Sequence, residues 1–237
     1  MKALILAAGI GSRLNLKDIP KPMYEIAGKP ILEHNILLLK KYNVTDICVT
    51  IHHKAEVIKN YFGDGSQFSV NIKYSYEEKL LGTSGALRAV LWFLDKNPFF
   101  VIYGDNYTNI NLDEMLRFHK SNKSITTVAL FDKNKSLNSG IAGGVIVINK
   151  DNRIISFTEG KGSQSSGYVN AGVYIIEPKV LDMIPEQPSD FGKDIFPKLL
   201  DKGFLLKGYL TDSFVLAIDT EEALSVTESK LKEKRKS

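Results

Sequence analysis

The sequence has one cysteine, one tryptophan and four histidines in 237 residues. A single cysteine excludes a disulfide framework and any multi-cysteine zinc cage. Cys48 stands in the apolar run Ile47-Cys48-Val49, which reads as a small buried residue rather than a reactive thiol. Long hydrophobic runs are also missing. The opening stretch Met1 to Ala8 is largely apolar but breaks at Gly9 and Arg13, and no run approaches the roughly 18–20 apolar residues of a membrane span. These absences predict a cytoplasmic location and no membrane partner.

Net charge is missing too, once its position is considered. Lys plus Arg number 31 and Asp plus Glu 27. Lys230, Lys232, Lys234, Arg235 and Lys236 against Glu233 hold the whole +4 excess in the last eight residues, so residues 1–229 carry 26 charges of each sign. A neutral body lacks the basic footprint of a nucleic-acid-binding domain. The tail reads as a helix end, where cations complement the dipole. What is present is 43% hydrophobic and 24% charged residues, over a length that buries about 70–75% of the unfolded surface in one large core.

Short apolar runs alternate with helical patterns in the first half, the rhythm of βαβ units around a mostly parallel sheet. Strands are expected at Ala3 to Ala7, Asp46 to Ile51, Val70 to Tyr76, Pro98 to Tyr103 and Ile125 to Phe131, with helices at Ile31 to Tyr42 and Ser84 to Leu94. In the second half Gly144 to Ile148, Ile154 to Thr158 and Val169 to Ile176 follow one another with turn residues between, as added mixed or antiparallel strands. A strand at Phe214 to Ile218 and helices at Asp190 to Leu200 and Glu221 to Glu233 complete the pattern. The expected organisation is one domain over residues 1–237. Residues 1–131 form the alternating first half, 132–220 the strand-rich second half, and 221–237 a C-terminal helix and tail.

The most informative segment is Ala7-Ala8-Gly9-Ile10-Gly11-Ser12-Arg13-Leu14, directly after the first strand. Two glycines let backbone approach an anion, Ser12 offers a hydroxyl, and Arg13 a planar fork for phosphate oxygens. A dinucleotide fingerprint would need glycine in place of Leu14, and a P-loop would need Gly-Lys-Ser/Thr; both fail on spacing. In Pro20-Lys21-Pro22-Met23 two prolines fix the backbone around one lysine, which suits either a phosphate contact or a rigid surface turn. Asp105 closes an apolar strand at its carboxyl end and could ligate a metal or cap a turn; Asp219 could ligate a metal, cap the next helix, or both.

Taken together these segments resemble the nucleotidyltransferases that make nucleotide sugars from a sugar 1-phosphate and a nucleoside triphosphate. The resemblance continues through Leu81-Gly82-Thr83-Ser84-Gly85-Ala86-Leu87, Tyr103-Gly104-Asp105, Phe157-Thr158-Glu159 with Lys161, Val169-Asn170-Ala171-Gly172 and Ile218-Asp219, in the family's order across essentially the whole chain. It implies a Rossmann-like three-layer α/β sandwich with a mostly parallel mixed central sheet, of the GT-A-like nucleotidyltransferase kind, and a small added β subregion, with residues 1–131 mainly a nucleotide-binding half and 132–220 mainly a sugar-phosphate-binding half. It implies that Ala7, Ala8, Gly9, Gly11, Ser12, Arg13, Gly82 and Thr83 bind the nucleotide, with Ala8, Gly82 and Thr83 nearest the base. By the same resemblance Arg13 meets the β and γ phosphates and Lys21 the α-phosphate and sugar phosphate. Asp105, beside Arg13 and Lys21 in the catalytic set, holds Mg²⁺ with Asp219. Glu159, Asn170 and Gly172 receive the sugar and Lys161 its phosphate. The family's usual lysine directly follows the glutamate, whereas here Gly160 intervenes; the segment after Asp219 is also shorter than the family's.

The Leu-Gly-Thr-Ser-Gly-Ala-Leu form, with Lys-Pro-Met and Gly63-Asp64-Gly65-Ser66, looks most like mannose 1-phosphate and heptose 1-phosphate guanylyltransferases. This tilts the base toward GTP, with uridylyl, cytidylyl and thymidylyl transfer left open. A glycosyltransferase would carry Asp-x-Asp where this chain has Gly104-Asp105-Asn106. A non-catalytic nucleotide-sugar sensor has the Lys161 shift and the short Asp219 segment in its favour, and Arg13, Lys21 and Asp105 together against it. The expected partners are the two small-molecule substrates, and the sequence sets no oligomeric state. His52-His53 is expected to lack a ligand role, His34 and His119 to lie at surface or boundary positions, Trp92 and Phe93 to pack a helix, and Asp190-Phe191-Gly192 to border the sugar pocket.

Overall fold

The computed structural model describes residues 1–11, 19–135, 138, 144–158, 167–218 and 220–234. The first half runs β1 (Lys2–Leu6), β2 (Glu25–Ile26), β3 (Lys29–Pro30), α1 (Ile31–Lys41), β4 (Asp46–Ile51), α2 (Ala55–Phe62), β5 (Asn71–Tyr76), α3 (Gly82–Ala89) and β6 (Phe99–Tyr103). Then come β7 (Asn106–Thr108), α4 (Leu112–Asn122), β8 (Thr126–Phe131), β9 (Val145–Ile148), β10 (Ile154–Thr158) and β11 (Tyr168–Ile176). After these follow α5 (Phe196–Asp201), β12 (Leu206–Leu210), β13 (Val215–Ala217) and α6 (Glu221–Lys234).

Apolar residues occupy both faces of the central strands, so the sheet must be covered on both sides. Ala3, Ile5, Ile47, Val49, Phe100, Ile102, Ala129 and Phe131 point to one face, where Leu32, Ile36, Ile58, Phe62, Leu112 and Met115 of α1, α2 and α4 close over them. Leu4, Cys48, Val101, Val128, Leu130 and Tyr174 point to the other, against Leu87, Phe191, Phe196 and Leu199 around α3 and α5. The result is the expected three-layer sandwich. In the sheet, β6, β1, β4 and β5 are neighbours in that order and mutually parallel. β11 lies antiparallel to β6 and leads to β9 and β10 on one side and to β8 and β12 on the other. Four parallel strands therefore end along one edge, and the antiparallel β11 begins there.

Several local expectations change. The helix expected over Ser84 to Leu94 ends at Ala89 and turns, which leaves Trp92 62% exposed while Phe93 stays buried. The Asp190 to Leu200 helix begins as a π-helical turn, Phe191–Ile195, before α5. Cys48 is fully buried, and burial pushes its thiol up to about 12, so the thiolate is absent at neutral pH. No helix among the described residues is long and apolar enough to cross a membrane.

His119 is not at the surface: it is 1% exposed. Its Nδ1 pairs with Thr127 Oγ1 at 2.9 Å and its Nε2 with Glu177 Oε1 at 3.1 Å, tying α4 to β8 and to the end of β11. Burial lowers its pKa below 6.5, with the Glu177 carboxylate opposing the shift. A depressed histidine favours folding while neutral, and that contribution fades as pH falls from about 7 through the unfolded value near 6.5 toward the lower folded value. Urea denaturation at stepped pH is expected to show stability falling across this window, with a shallower slope for His119→Gln.

Candidate active site

The carboxyl ends of β1, β4, β5 and β6 meet the start of β11 around a cleft of about 330 Å³. This is where open α/β sheets collect ligands, and the size is that of a small-molecule site. Ala8 and Gly9 follow β1, Glu77 follows β5 and Asp105 follows β6; Asn170 and Gly172 come from β11, and Gly82, Thr83 and Asp190 from the α3 side.

The two expected phosphate segments pack on each other. Gly11 has φ +69°, and a Cβ there would sit 3.1 Å from the Cβ of Lys21, so glycine serves both the left-handed turn and the close approach. Pro20 and Pro22 flank Lys21 in a short 3-10 turn that starts after an extended Pro20. The turn presents Lys21 inward, 6% exposed, and its Nζ donates to Asp105 Oδ2. Asp105 lines the cleft with its side chain about a quarter exposed. The pair therefore joins a buried cation to a carboxylate at the open edge of the sheet. Ala7 sits behind the wall, its N–H donating to Thr50 Oγ1 at 3.2 Å.

On the opposite wall Gly82 has φ +73°, and a Cβ would meet Ser189 O at 2.4 Å. Three of the amides that open α3 are already used. Ser84 and Gly85 N–H donate to Ser189 O, and Thr83 N–H donates to Asp190 Oδ1 at 3.0 Å. The Thr83 hydroxyl also donates to Asp190 and accepts from Phe191 N–H at 2.9 Å. Thr83 is thus at the cleft with its polar groups committed to the π-helical segment, and Asp190 anchors this wall.

β11 carries an irregularity between Asn170 and Tyr174 against β8. Such a kink re-aims side chains at a sheet rim. Gly172 takes φ +69° there, where a Cβ would strike Asn106 Nδ2 at 2.5 Å. Asn170 faces the cleft while Nδ2 donates to the Tyr174 hydroxyl at 2.7 Å and Oδ1 accepts from Gly172 N–H at 2.9 Å. One further donor and one lone pair remain for a hydroxylated ligand.

The structure brings together Ala8, Gly9, Gly82, Thr83, Asp105, Asn170 and Gly172 at one cleft, with Lys21 joined through Asp105. Ser12, Arg13, Glu159, Lys161 and Asp219 lie outside the described residues. β13 pairs with β7 so that Ala217 faces Asn106, next to Asp105 and two residues before Asp219. Among the described residues no cluster of three or more metal-ligating side chains occurs. Glu77, Thr50, Asn106 and Lys193 also line the cleft, although the motifs do not single them out.

One edge of the α/β sheet thus holds a glycine loop, a buried lysine and a carboxylate together. The chain belongs to the nucleotidyl transferase family, whose model matches residues 2–214. It is 34% identical over 218 residues to the D-glycero-alpha-D-manno-heptose 1-phosphate guanylyltransferase of Campylobacter jejuni, covering 90% of this chain and 94% of that protein. It is 37% identical over 222 residues to the UTP–glucose-1-phosphate uridylyltransferase of Synechocystis, covering 86% of this chain and 56% of that protein. The chain thus spans little more than half of some curated relatives and nearly all of others. The crystal structure of HddC from Yersinia pseudotuberculosis complexed with GMP-PN superposes with a TM-score of 0.79 at 27% identity, covering 97% of this chain and 98% of that one.

Proposed function

We propose that the protein transfers a nucleotidyl group from a nucleoside triphosphate, GTP by preference, to a sugar 1-phosphate of the mannose or heptose type, releasing pyrophosphate. The observation that carries this reading is the Lys21 to Asp105 pair at the carboxyl edge of β6, beside the glycine loop of β1. The guanylyltransferase relative that the chain spans nearly end to end supports the choice of base and sugar. The Synechocystis relative favours UTP as the second reading.

A phosphate oxygen of the sugar 1-phosphate attacks the α-phosphorus. The bond from that phosphorus to the oxygen bridging it to the β-phosphate breaks, and the electron pair leaves with pyrophosphate. Both reactants are polyanions, so the protein's work is alignment and charge neutralisation. Lys21 supplies positive charge at the α-phosphate, and its packed stem against Gly11 holds it there without reorganisation. Arg13 would serve the β and γ phosphates, and Lys161 the sugar phosphate. Asn170 and Glu159 would orient sugar hydroxyls while Gly172 gives them backbone access.

The donor chemistry suits Mg²⁺, which takes one or two carboxylates and fills its remaining positions with phosphate and water oxygens. Asp105, a hard oxygen ligand at the cleft with part of its carboxylate open, would hold it, with Asp219 as the second carboxylate. Bound there the ion would add charge neutralisation on the phosphates. The protein would act in the cytoplasm.

The test is a matrix of five nucleoside triphosphates against a panel of sugar 1-phosphates with Mg²⁺, read as pyrophosphate release. Release with GTP and a mannose- or heptose-type phosphate is expected. Binding of nucleotide sugars with no release in any cell of the matrix would leave a sensor instead.

A further inference from the structure

Helix α6 lies beyond the residues 2–214 that the family model matches, yet it packs directly behind the Lys21 turn. Its sequence is mostly polar, but Leu224, Thr227 and Leu231 recur at i, i+3 and i+7 and so share one face. Leu224 and Leu231 pack with Tyr24 and Tyr107 on Ile26, Ile31 and Ile218. Ile26 closes β2 and Ile31 opens α1, both shortly after Lys21, whereas Ile218 follows β13. A single helix therefore touches both segments that bring Lys21 and Asp105 together.

Two adjacent residues of α6 make the polar contacts. Glu228 Oε1 accepts from the Tyr24 hydroxyl at 2.6 Å, and the fully buried Thr227 donates from Oγ1 to Ala217 O at 3.1 Å. Successive helix positions point about 100° apart, so one turn of α6 can hold two different segments. Tyr24 closes the lysine turn: its N–H donates to Lys21 O at 3.1 Å, Met23 N–H donates to Pro20 O at 2.8 Å, and Tyr24 O accepts from Ile31 N–H at 3.0 Å. Ala217 lies opposite Asn106, the neighbour of Asp105. The hydrogen bond to Glu228, and after it burial, raise the Tyr24 pKa to about 12, so the phenol keeps its donor proton at neutral pH.

We propose that α6 clamps the reaction centre, Glu228 through Tyr24 setting the Lys21 turn and Thr227 through Ala217 setting the strand pair beside Asp105. Tyr24, Thr227 and Glu228 are positioning residues, since none of them lines the cleft. The inference rests on the nucleotidyltransferase reading and deepens it by naming what holds the lysine and the carboxylate in place. A cation that neutralises phosphate works only where it is placed in advance, and misplacement by about 1 Å costs about 100-fold in rate. One hydrogen bond at the surface, by contrast, contributes only modestly to net stability. Loss of the clamp therefore shows in turnover more than in folding.

The test follows pyrophosphate release from GTP or UTP paired with mannose-, heptose- or glucose-type 1-phosphates in Mg²⁺, together with thermal melts and amide hydrogen exchange, on the full chain and its variants. Tyr24→Phe and Glu228→Ala are each expected to lower kcat about tenfold, with KM for the triphosphate within about threefold and melting midpoints near the parent's. The double variant should lose no more than either single one, because both remove the same bond. Glu228→Gln keeps an oxygen that accepts from the hydroxyl and should bring kcat back to within about threefold of the parent. Thr227→Val loses the donor to Ala217 and should lower kcat by a similar factor, which Thr227→Ser restores. Exchange of the Met23, Tyr24 and Ile31 amides should rise about tenfold in Glu228→Ala and stay near the parent's in Glu228→Gln. An unchanged kcat in Glu228→Ala or Thr227→Val, additive losses in the double variant, or an equal loss in Glu228→Gln would overturn the inference and leave the nucleotidyltransferase reading standing. A full chain that releases no pyrophosphate from any of these pairs would sink that reading alone; amide exchange still decides the clamp, and unchanged exchange in Glu228→Ala would then overturn it.

Discussion

Lys21→Ala is expected to lower turnover about a hundredfold or more while the protein stays folded. In the proposed reaction Lys21 meets the α-phosphate, where charge builds up; it is buried, with its stem against Gly11 and its ammonium held by Asp105. Removing one preorganised electrostatic contact from a water-poor site costs about 2.7–4 kcal/mol in the transition state. Because the ammonium serves a charge that grows during the reaction, the loss should fall mainly on kcat. Lys21→Arg should not restore the rate: a planar fork cannot occupy the narrow space that Gly11 and the flanking prolines leave for a point charge. Steady-state kinetics at saturating triphosphate, with a urea titration to confirm folding, checks this. Turnover within about threefold of the parent would remove Lys21 from the chemistry.

Asp105→Ala is expected to abolish turnover to a similar degree and, unlike Lys21→Ala, to destabilise the fold. The asymmetry follows from burial: the Lys21 side chain is 8% exposed and that of Asp105 24%. Losing the carboxylate takes one acceptor from an ammonium deep in the protein, whereas losing the ammonium leaves a carboxylate that water can reach. Breaking a fully buried pair costs about 3–5 kcal/mol, and partial exposure of Asp105 reduces this to about 2–3 kcal/mol. The urea midpoint should therefore fall clearly for Asp105→Ala and little for Lys21→Ala. The double variant should be more stable than Asp105→Ala alone, since the buried charge that lost an acceptor is gone. Equal stability of the two single variants would show that the pair does not couple as its burial implies.

These two residues were legible in the sequence because their signal is local. Prolines either side of a lysine, and a carboxylate closing an apolar strand, announce themselves within a few positions. The same holds for β4 and β10, whose bounds Asp46–Ile51 and Ile154–Thr158 follow directly from apolar runs ended by turn residues. Helix α2 is less legible: it is eight residues long and starts after Lys54 in a left-handed conformation with no side-chain cap. Helix α4 did carry a signal, since Asn111 caps it by accepting from Glu114 N–H three residues on.

Glu77, Thr50 and Asn106 were not legible, for a different reason. Each acquires its role from which strand ends converge, and strand order is a long-range property. Glu77 in Tyr76-Glu77-Glu78-Lys79 looks like ordinary surface charge until β5 is placed beside β4; for Asp190, expected beside the pocket, only the partner was hidden, since its carboxylate meets Thr83 N–H 107 residues away. His119 misleads in the same way, because its partner Glu177 is 58 residues distant.

The most direct measurement of the central claim follows the α-phosphorus itself. GTP labelled at that atom, incubated with Mg²⁺ and mannose- or heptose-type 1-phosphates, should place the label in a nucleotide sugar, with one unlabelled pyrophosphate for each product. Label that stays in the triphosphate, or that appears as free guanosine monophosphate, would contradict the account.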